Sequence, residues 1–176
     1  MTIVYKSNTG FTQEYAQLLG RAAGLEAVPL EQADRLPEGS EVLYMGPLMA
    51  GHITGVERAV RRFAVQAACA VGMSPPEETM LSGLSRSNYV PDGPIFYLQG
   101  GWAPKKAGWL RRRMVAMATK SLREKLQNKP ARTPEEQANL DMLVKGGSFV
   151  SPQNLGPVRA WLEERKSEAE AGGCPA

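Results

Sequence analysis

Five short runs of apolar, β-branched or aromatic residues punctuate the chain: Ile3-Val4-Tyr5, Ala27-Val28, Val42-Leu43-Tyr44-Met45, Ala68-Cys69-Ala70-Val71 and Pro94-Ile95-Phe96-Tyr97-Leu98. Most are continuous, with no polar residue at every second position. A strand with one face in water alternates, whereas a strand covered on both faces has no position from which a polar side chain can reach solvent. The pattern predicts a parallel sheet with helices on either side. Segments of helical character fall between the runs, at 11–23, 56–66, 77–84 and 153–166, which gives the βαβ alternation of an α/β protein.

The chain has 176 residues, 43% of them hydrophobic, enough for one well-buried core and short for two. A single domain is expected over 1–166, with a frayed tail at 167–176. Cys69 lies inside an apolar run and Cys174 in the tail, too few and too far apart for a disulfide framework. The chain enters its first strand without a charged and apolar leader, and no apolar run approaches the roughly 18 residues of a membrane span. A cytoplasmic protein, at most peripheral to a membrane, is expected.

The net charge of +3 conceals an asymmetry. Between Lys105 and Lys129 nine Lys/Arg face one acid, Glu124, a local excess of +8 that leaves −5 for the other residues. Basicity confined to one segment does not imply nucleic-acid binding.

That segment follows the fifth run and exceeds what a minimal five-stranded domain needs. It predicts a helical insertion at about 104–147: a long basic helix to about Gln127, then a second helix from Pro134 to about Val144. Thr133-Pro134-Glu135-Glu136 and Ser151-Pro152 each place a hydroxyl N-cap before proline at the first helical position. Leu110, Met114, Met117, Ala118, Leu122 and Leu126 recur at helical spacing as an apolar stripe. Lys105, Lys106, Arg111, Arg112, Arg113, Lys120, Arg123 and Lys125 surround it. Three readings stay open for this cluster: a solvated cationic face, contact with an anionic membrane surface, or recognition of an acidic redox partner or a propionate-bearing porphyrin. Surface association needs an apolar face that the core does not already consume.

Ligands of an open parallel sheet sit beyond the carboxyl ends of its strands. Three loops converge there: 7–12, 46–55 and 99–104. The first, Ser7-Asn8-Thr9-Gly10-Phe11-Thr12, puts three hydroxyls and a glycine between a strand and the start of a helix. Backbone amides and helix-terminal partial charge make such a turn a cradle for an anion. Glycine at Gly10 allows close approach and a free choice of φ. The competing reading is that Thr9 or Thr12 only caps the helix.

The order strand, S-x-T-G-x-T, helix at the start of the chain resembles the phosphate loop of flavodoxins, which holds the 5′-phosphate of FMN. Run 95–102, the basic methionine-bearing helix after it and the Ala50-Gly51-His52-Ile53 loop are similar to flavodoxin-domain proteins related to the flavodoxin-type protoporphyrinogen oxidase. The likeness runs over 2–163. It implies a flavodoxin-like three-layer α/β sandwich with a five-stranded parallel sheet of order 2-1-3-4-5 and an extra helical insertion after the fifth strand. It also implies non-covalent FMN. Ser7, Thr9 and Thr12 would donate from side chains, and Asn8, Gly10 and Phe11 from backbone. Pro47, Leu48, Met49, Ala50, Gly51 and His52 would lie on one side of the isoalloxazine ring, with Gly51 meeting flavin N5. Gln99, Gly100, Gly101 and Trp102 would lie on the other.

Two departures stand out. Flavodoxins often sandwich the ring between aromatic side chains, and here the third loop offers only Trp102. Electron-carrier flavodoxins are also typically acidic, and this chain is basic.

The single histidine, His52, excludes a multi-histidine metal site and serves as a binding candidate or a solvated loop residue. Trp102 is expected to stack on the ring, the alternative being an anchor against the insertion. Cys69 reads as a packed, inert thiol. No carboxylate pair converges, and no serine has a histidine-acid partner at a recognisable spacing, which leaves no hydrolase site. The expectation is an FMN-binding redox protein whose partner is a protein or a small-molecule electron donor or acceptor, in the specific case an enzyme oxidising a porphyrinogen. The rival is an interaction module that keeps the fold without FMN and works through its basic helix.

Overall fold

The computed structural model describes residues 1–76, 78–91 and 93–172, with the side chains of 78–80, 111 and 172 left aside. Cys174 and residue 77, the expected start of the third helix, lie outside the described residues.

The five expected strands form one parallel sheet. They are β1 (Thr2–Tyr5), β2 (Ala27–Pro29), β3 (Glu41–Met49), β5 (Ala64–Gly72) and β6 (Ile95–Gln99), ordered β2-β1-β3-β5-β6. A two-residue strand, β4 (His52–Ile53), folds back antiparallel on the end of β3. Counted without it, the order is 2-1-3-4-5, as the sequence predicts. Register runs Ile3 opposite Leu43 on one side of β1 and Ile3 opposite Ala27 on the other.

Successive strand residues point to opposite faces, and both faces are covered. Ile3, Tyr5, Leu43, Met45 and Cys69 pack under α1 (Phe11–Ala23) and α7 (Gly156–Gly172), with Tyr15, Leu19, Val158 and Leu162. Val4, Val42, Tyr44, Ala68 and Ala70 pack under α2 (Val56–Arg62) and α3 (Glu78–Ser87), with Val56, Ala59 and Leu84. This is the flavodoxin-like three-layer sandwich. Each large side chain so buried contributes about 1.5–3 kcal/mol, and the continuous runs exist because the central residues of these strands are covered on both faces.

α1 spans the predicted residues and stops at Gly24, whose φ of 67° lets its N–H turn back to the Gly20 carbonyl. α2 is shorter than expected. Residues 64–66 are the first residues of β5, where Val65 pairs beside Val42, and sheet pairing outweighs helical spacing there.

The insertion closes on a short antiparallel ribbon, β7 (Gly101–Trp102) with β8 (Gly147–Ser148). Between them run α4 (Trp109–Ala118), α5 (Lys120–Gln127) and α6 (Pro134–Lys145). The single long helix expected to Gln127 is interrupted at Thr119, whose hydroxyl donates to the Val115 carbonyl at 2.7 Å while Arg123 donates to the Ala116 carbonyl at 3.0 Å. A threonine that bonds back to the preceding turn bends a helix there. Thr133 caps α6 through the full reciprocal box with Glu136. Ser151 caps a 3₁₀ turn, Pro152–Leu155, that leads into α7. The expected fray after 166 is instead helix as far as Gly172, with Ser167 bonding back to the Glu163 carbonyl.

Candidate functional site

Gly10 begins α1 at φ 104°, a left-handed conformation that a Cβ would strain, and neither Thr9 nor Thr12 caps the helix with its side chain. The capping alternative is thereby removed. Ser7 Oγ instead accepts from the Gly10 N–H at 3.1 Å, which folds the loop on itself and leaves the hydroxyl proton of Ser7 to donate elsewhere. Thr12 is buried at the base of the loop. A cation also stands over it: a Cβ placed on Gly10 would lie 3.6 Å from Lys106 Nζ. Sequence reasoning placed Lys106 in the basic cluster and missed this, because nothing local ties residue 106 to residue 10.

The second loop is a β-hairpin. Met49 pairs with His52 and Leu48 with Ile53, so the turn consists of Ala50 and Gly51, with φ of 49° and 83°. Positive φ at both central residues is the mark of a type I′ turn. Ala50 is the only described non-glycine residue with positive φ, a conformation that costs an L-residue about 1–2 kcal/mol. Asn88, buried at the end of α3, holds the turn from behind. Its Nδ2 donates to the carbonyls of Gly51 at 2.8 Å and Leu84 at 3.0 Å, and its Oδ1 accepts from Ile53 N–H at 2.7 Å. Tyr44 secures the hairpin's exit by donating to the Thr54 carbonyl at 2.7 Å.

Buried polar side chains hold the other loops in the same way. Tyr15 Oη donates to the Gln99 carbonyl at 2.5 Å and accepts from Asn154 Nδ2 at 2.6 Å, and that amide also reaches the Phe149 carbonyl at 2.9 Å. Tyr97 Oη donates to the Ser74 carbonyl at 2.5 Å beyond β5. Burial pushes the Tyr15, Tyr44 and Tyr97 phenols up, so all three remain donors at neutral pH. Rigid support of this kind is what a binding site on loops requires.

Between the loops lies a cavity of about 350 Å³, within the range of small-molecule sites. Asn8, Thr9, Phe11 and Thr12 line it from the first loop, and Pro47, Leu48, Met49 and Ala50 from the hairpin. Gly101 and Trp102 come from the third loop. Six expected residues are not on its wall. Ser7 and Gly10 shape the first loop from within, Gly51 and His52 form the exposed end of the turn and the start of its return strand, and Gln99 and Gly100 fix β6 to its neighbours. The Gly100 N–H bonds the Gly72 carbonyl, and its carbonyl accepts from Phe149.

Two further segments of the wall are legible in the sequence as apolar but not as part of a site. Val71, Gly72 and Met73 come from the end of β5, and Met114, Val115 and Ala118 from α4. The lining side chains are mostly apolar, its polar groups cluster in the first loop, and none of its described residues is charged.

Trp102 anchors the insertion and also lines the cavity. It is 8% exposed and packs with Ala107, Met142 and Leu143 in the core of the insertion, presenting only part of its surface to the cavity. Gly101 beside it has no room for a Cβ, which would come within 2.2 Å of the Gly147 carbonyl oxygen. Gly101 therefore serves the β7–β8 ribbon, and Gly100 serves close packing on Val71 and Phe11.

Comparison with family models, curated proteins and solved structures gives no match. Among the described residues no group of His, Cys, Asp or Glu could hold a metal ion, and no helix is long and apolar enough to cross a membrane.

Proposed function

We propose that the cavity binds FMN and that the protein is a flavodoxin-like redox protein. One observation carries this reading: a mostly apolar cavity has its polar wall at Asn8, Thr9 and Thr12, in the loop that turns through left-handed Gly10 into α1, with the Lys106 ammonium beside Gly10 just outside the lining. An amphiphile with a dianionic head and a flat, largely apolar body fits that division. The first loop and Lys106 would take the phosphate. Leu48, Met49, Met73 and Val115 would flank the ring, and the hairpin carbonyl or amide groups near Ala50 would meet its polar edge.

When bound, FMN supplies the one- or two-electron chemistry. The chain's own residues bind and orient it, exclude water through the methionines and Trp102, and need hold no proton. The finer reading, an enzyme oxidising a porphyrinogen-like substrate, rests on the likeness of the 95–102 run and the basic helix; the open cavity favours FMN binding over a module that has lost it.

Titration with FMN, followed by flavin fluorescence and calorimetry, tests the proposal. Saturable binding with riboflavin clearly weaker than FMN supports it. Absence of heat and of any spectral change would refute it. For the enzymatic form, FMN-loaded protein is incubated with protoporphyrinogen and a quinone, and porphyrin fluorescence above the autoxidation rate is required.

A further inference from the structure

Leu110, Met114 and Met117 lie four and three residues apart and share one face of α4, yet they are 57%, 56% and 71% exposed. Trp109 at the head of the helix is also largely exposed, as is Leu122 on α5. None of the three buried clusters contains Leu110, Met114 or Met117; the insertion's core takes only Val115 from α4, at its edge. The α4 part of the apolar stripe is thus left over after the core is complete, while Leu126 at the far end is buried, and this remaining face meets the condition that surface association required.

Arg113 flanks the stripe on α4, and Lys105, Lys120 and Lys125 add exposed cations before and after it. The one acid of the segment, Glu124, lies 3.9 Å from Lys120.

We infer that α4 and α5 are an in-plane docking element for an anionic bilayer surface, with the stripe in the headgroup boundary and the cations on lipid phosphates. Exposed methionine, leucine and tryptophan between lysines and arginines is the composition of helices that lie in that interface. The helices have 10 and 8 residues, far below the roughly 20 of a spanning helix, so they rest on the membrane. A second copy docked through the same face about a twofold axis would set these cations against themselves. Nucleic acid would satisfy the charges and leave the apolar stripe in water. Met114 belongs both to the stripe and to the cavity wall, so the docked face adjoins the cavity. The inference does not depend on what the cavity holds.

Co-sedimentation of the full chain with vesicles of phosphatidylcholine, and of phosphatidylcholine mixed with phosphatidylglycerol, provides the test. Binding is expected to the mixed vesicles and not to the neutral ones. Lys105→Gln with Arg113→Gln lowers the partition about fivefold for each cation removed. Leu110→Ser with Met117→Ser weakens it as well and abolishes the blue shift of tryptophan emission that Trp109→Phe identifies. All four side chains are exposed, so circular dichroism of both variants matches the parent. The inference is overturned by absence of binding to anionic vesicles, by binding that survives the double serine variant, or by light scattering that shows a dimer dissolved by those same serines.

Discussion

Asn88 and Gly51 are joined by a 2.8 Å hydrogen bond from the asparagine amide to the glycine carbonyl, across 37 positions of sequence. The same side chain accepts from Ile53 on the other arm of the hairpin. The turn it holds contains Ala50 in a conformation unfavourable for alanine, and strain of that sort persists only where the surroundings over-determine it. Asn88→Ala leaves the buried Ile53 N–H without its partner, which costs about 1–3 kcal/mol, and frees the Gly51 carbonyl, on an exposed residue, to turn to water. Urea denaturation measures that loss. At a temperature where the variant remains folded, its affinity for FMN falls too, because the hairpin wall of the cavity is released; unchanged affinity would show that the turn has no part in binding.

Lys106 over Gly10 makes a different prediction, since only a phosphate-bearing ligand senses it. Lys106→Gln weakens FMN by about 1 kcal/mol, the low end for a charge-assisted contact at an exposed position, and leaves riboflavin unchanged. Comparing the two ligands in one calorimetric series checks this. An equal loss for both would mean that the lysine acts through packing of the insertion.

The contrast between these two residues marks how far the sequence is legible. Sheet order follows from runs such as Ile3-Val4-Tyr5, because burying both faces of a strand leaves few arrangements open. The first loop is legible because a strand, a hydroxyl-rich glycine turn and a helix start fall within a dozen residues. Asn88 gives no such signal: its partners lie in a hairpin whose turn is Ala-Gly, without the Asn-Gly signature of type I′. Periodicity shows that α4 has an apolar stripe, and it carries no information on whether anything faces that stripe. The packing of Trp102 is hidden for the same reason, since only the fold reveals that Met142 and Leu143 arrive beside it.

The capping box of α6 tests the insertion apart from the sheet. Thr133 Oγ1 accepts from the Glu136 N–H at 3.2 Å, and Glu136 accepts from the Thr133 N–H at 3.0 Å while pairing with Lys129 Nζ at 2.7 Å. The Lys129 hydrogen bond, with that from Thr133, holds the Glu136 carboxyl below its ordinary 4.5. A lowered carboxylate stabilises the fold fully above its unfolded value, and that contribution disappears as pH falls through the folded value. Thr133→Ala costs about 1 kcal/mol, seen as faster amide exchange in the first turn of α6. Glu136→Gln makes that exchange less sensitive to pH below about 4.5, where the parent carboxylate protonates. An exchange pattern identical to the parent in both variants would contradict the structure.

Cys69 sits at the centre of the sheet with no exposed surface, beside Leu43 and Met45, and burial alone drives its thiol far above the ordinary 9.0. The unfolded chain gives up this proton near 9.0 while the native protein keeps it, so the unfolded state binds fewer protons above that pH. Stability from the retained proton is complete below 9.0 and is lost as pH climbs from there toward the folded value. One such group steepens the alkaline limb by up to about 1.4 kcal/mol per pH unit. Cys69→Ala costs stability at neutral pH through the small cavity it opens, and it flattens the limb above 9.0. Tyr44 and Tyr97, whose phenols are also raised by burial, add their own slope only above 10.0, so the interval between the two values isolates the thiol. In a Cys174→Ser background, a thiol reagent reacts with native protein only at the rate of opening; fast labelling at pH 8 would place Cys69 outside the core and undo the central register of β3 with β5.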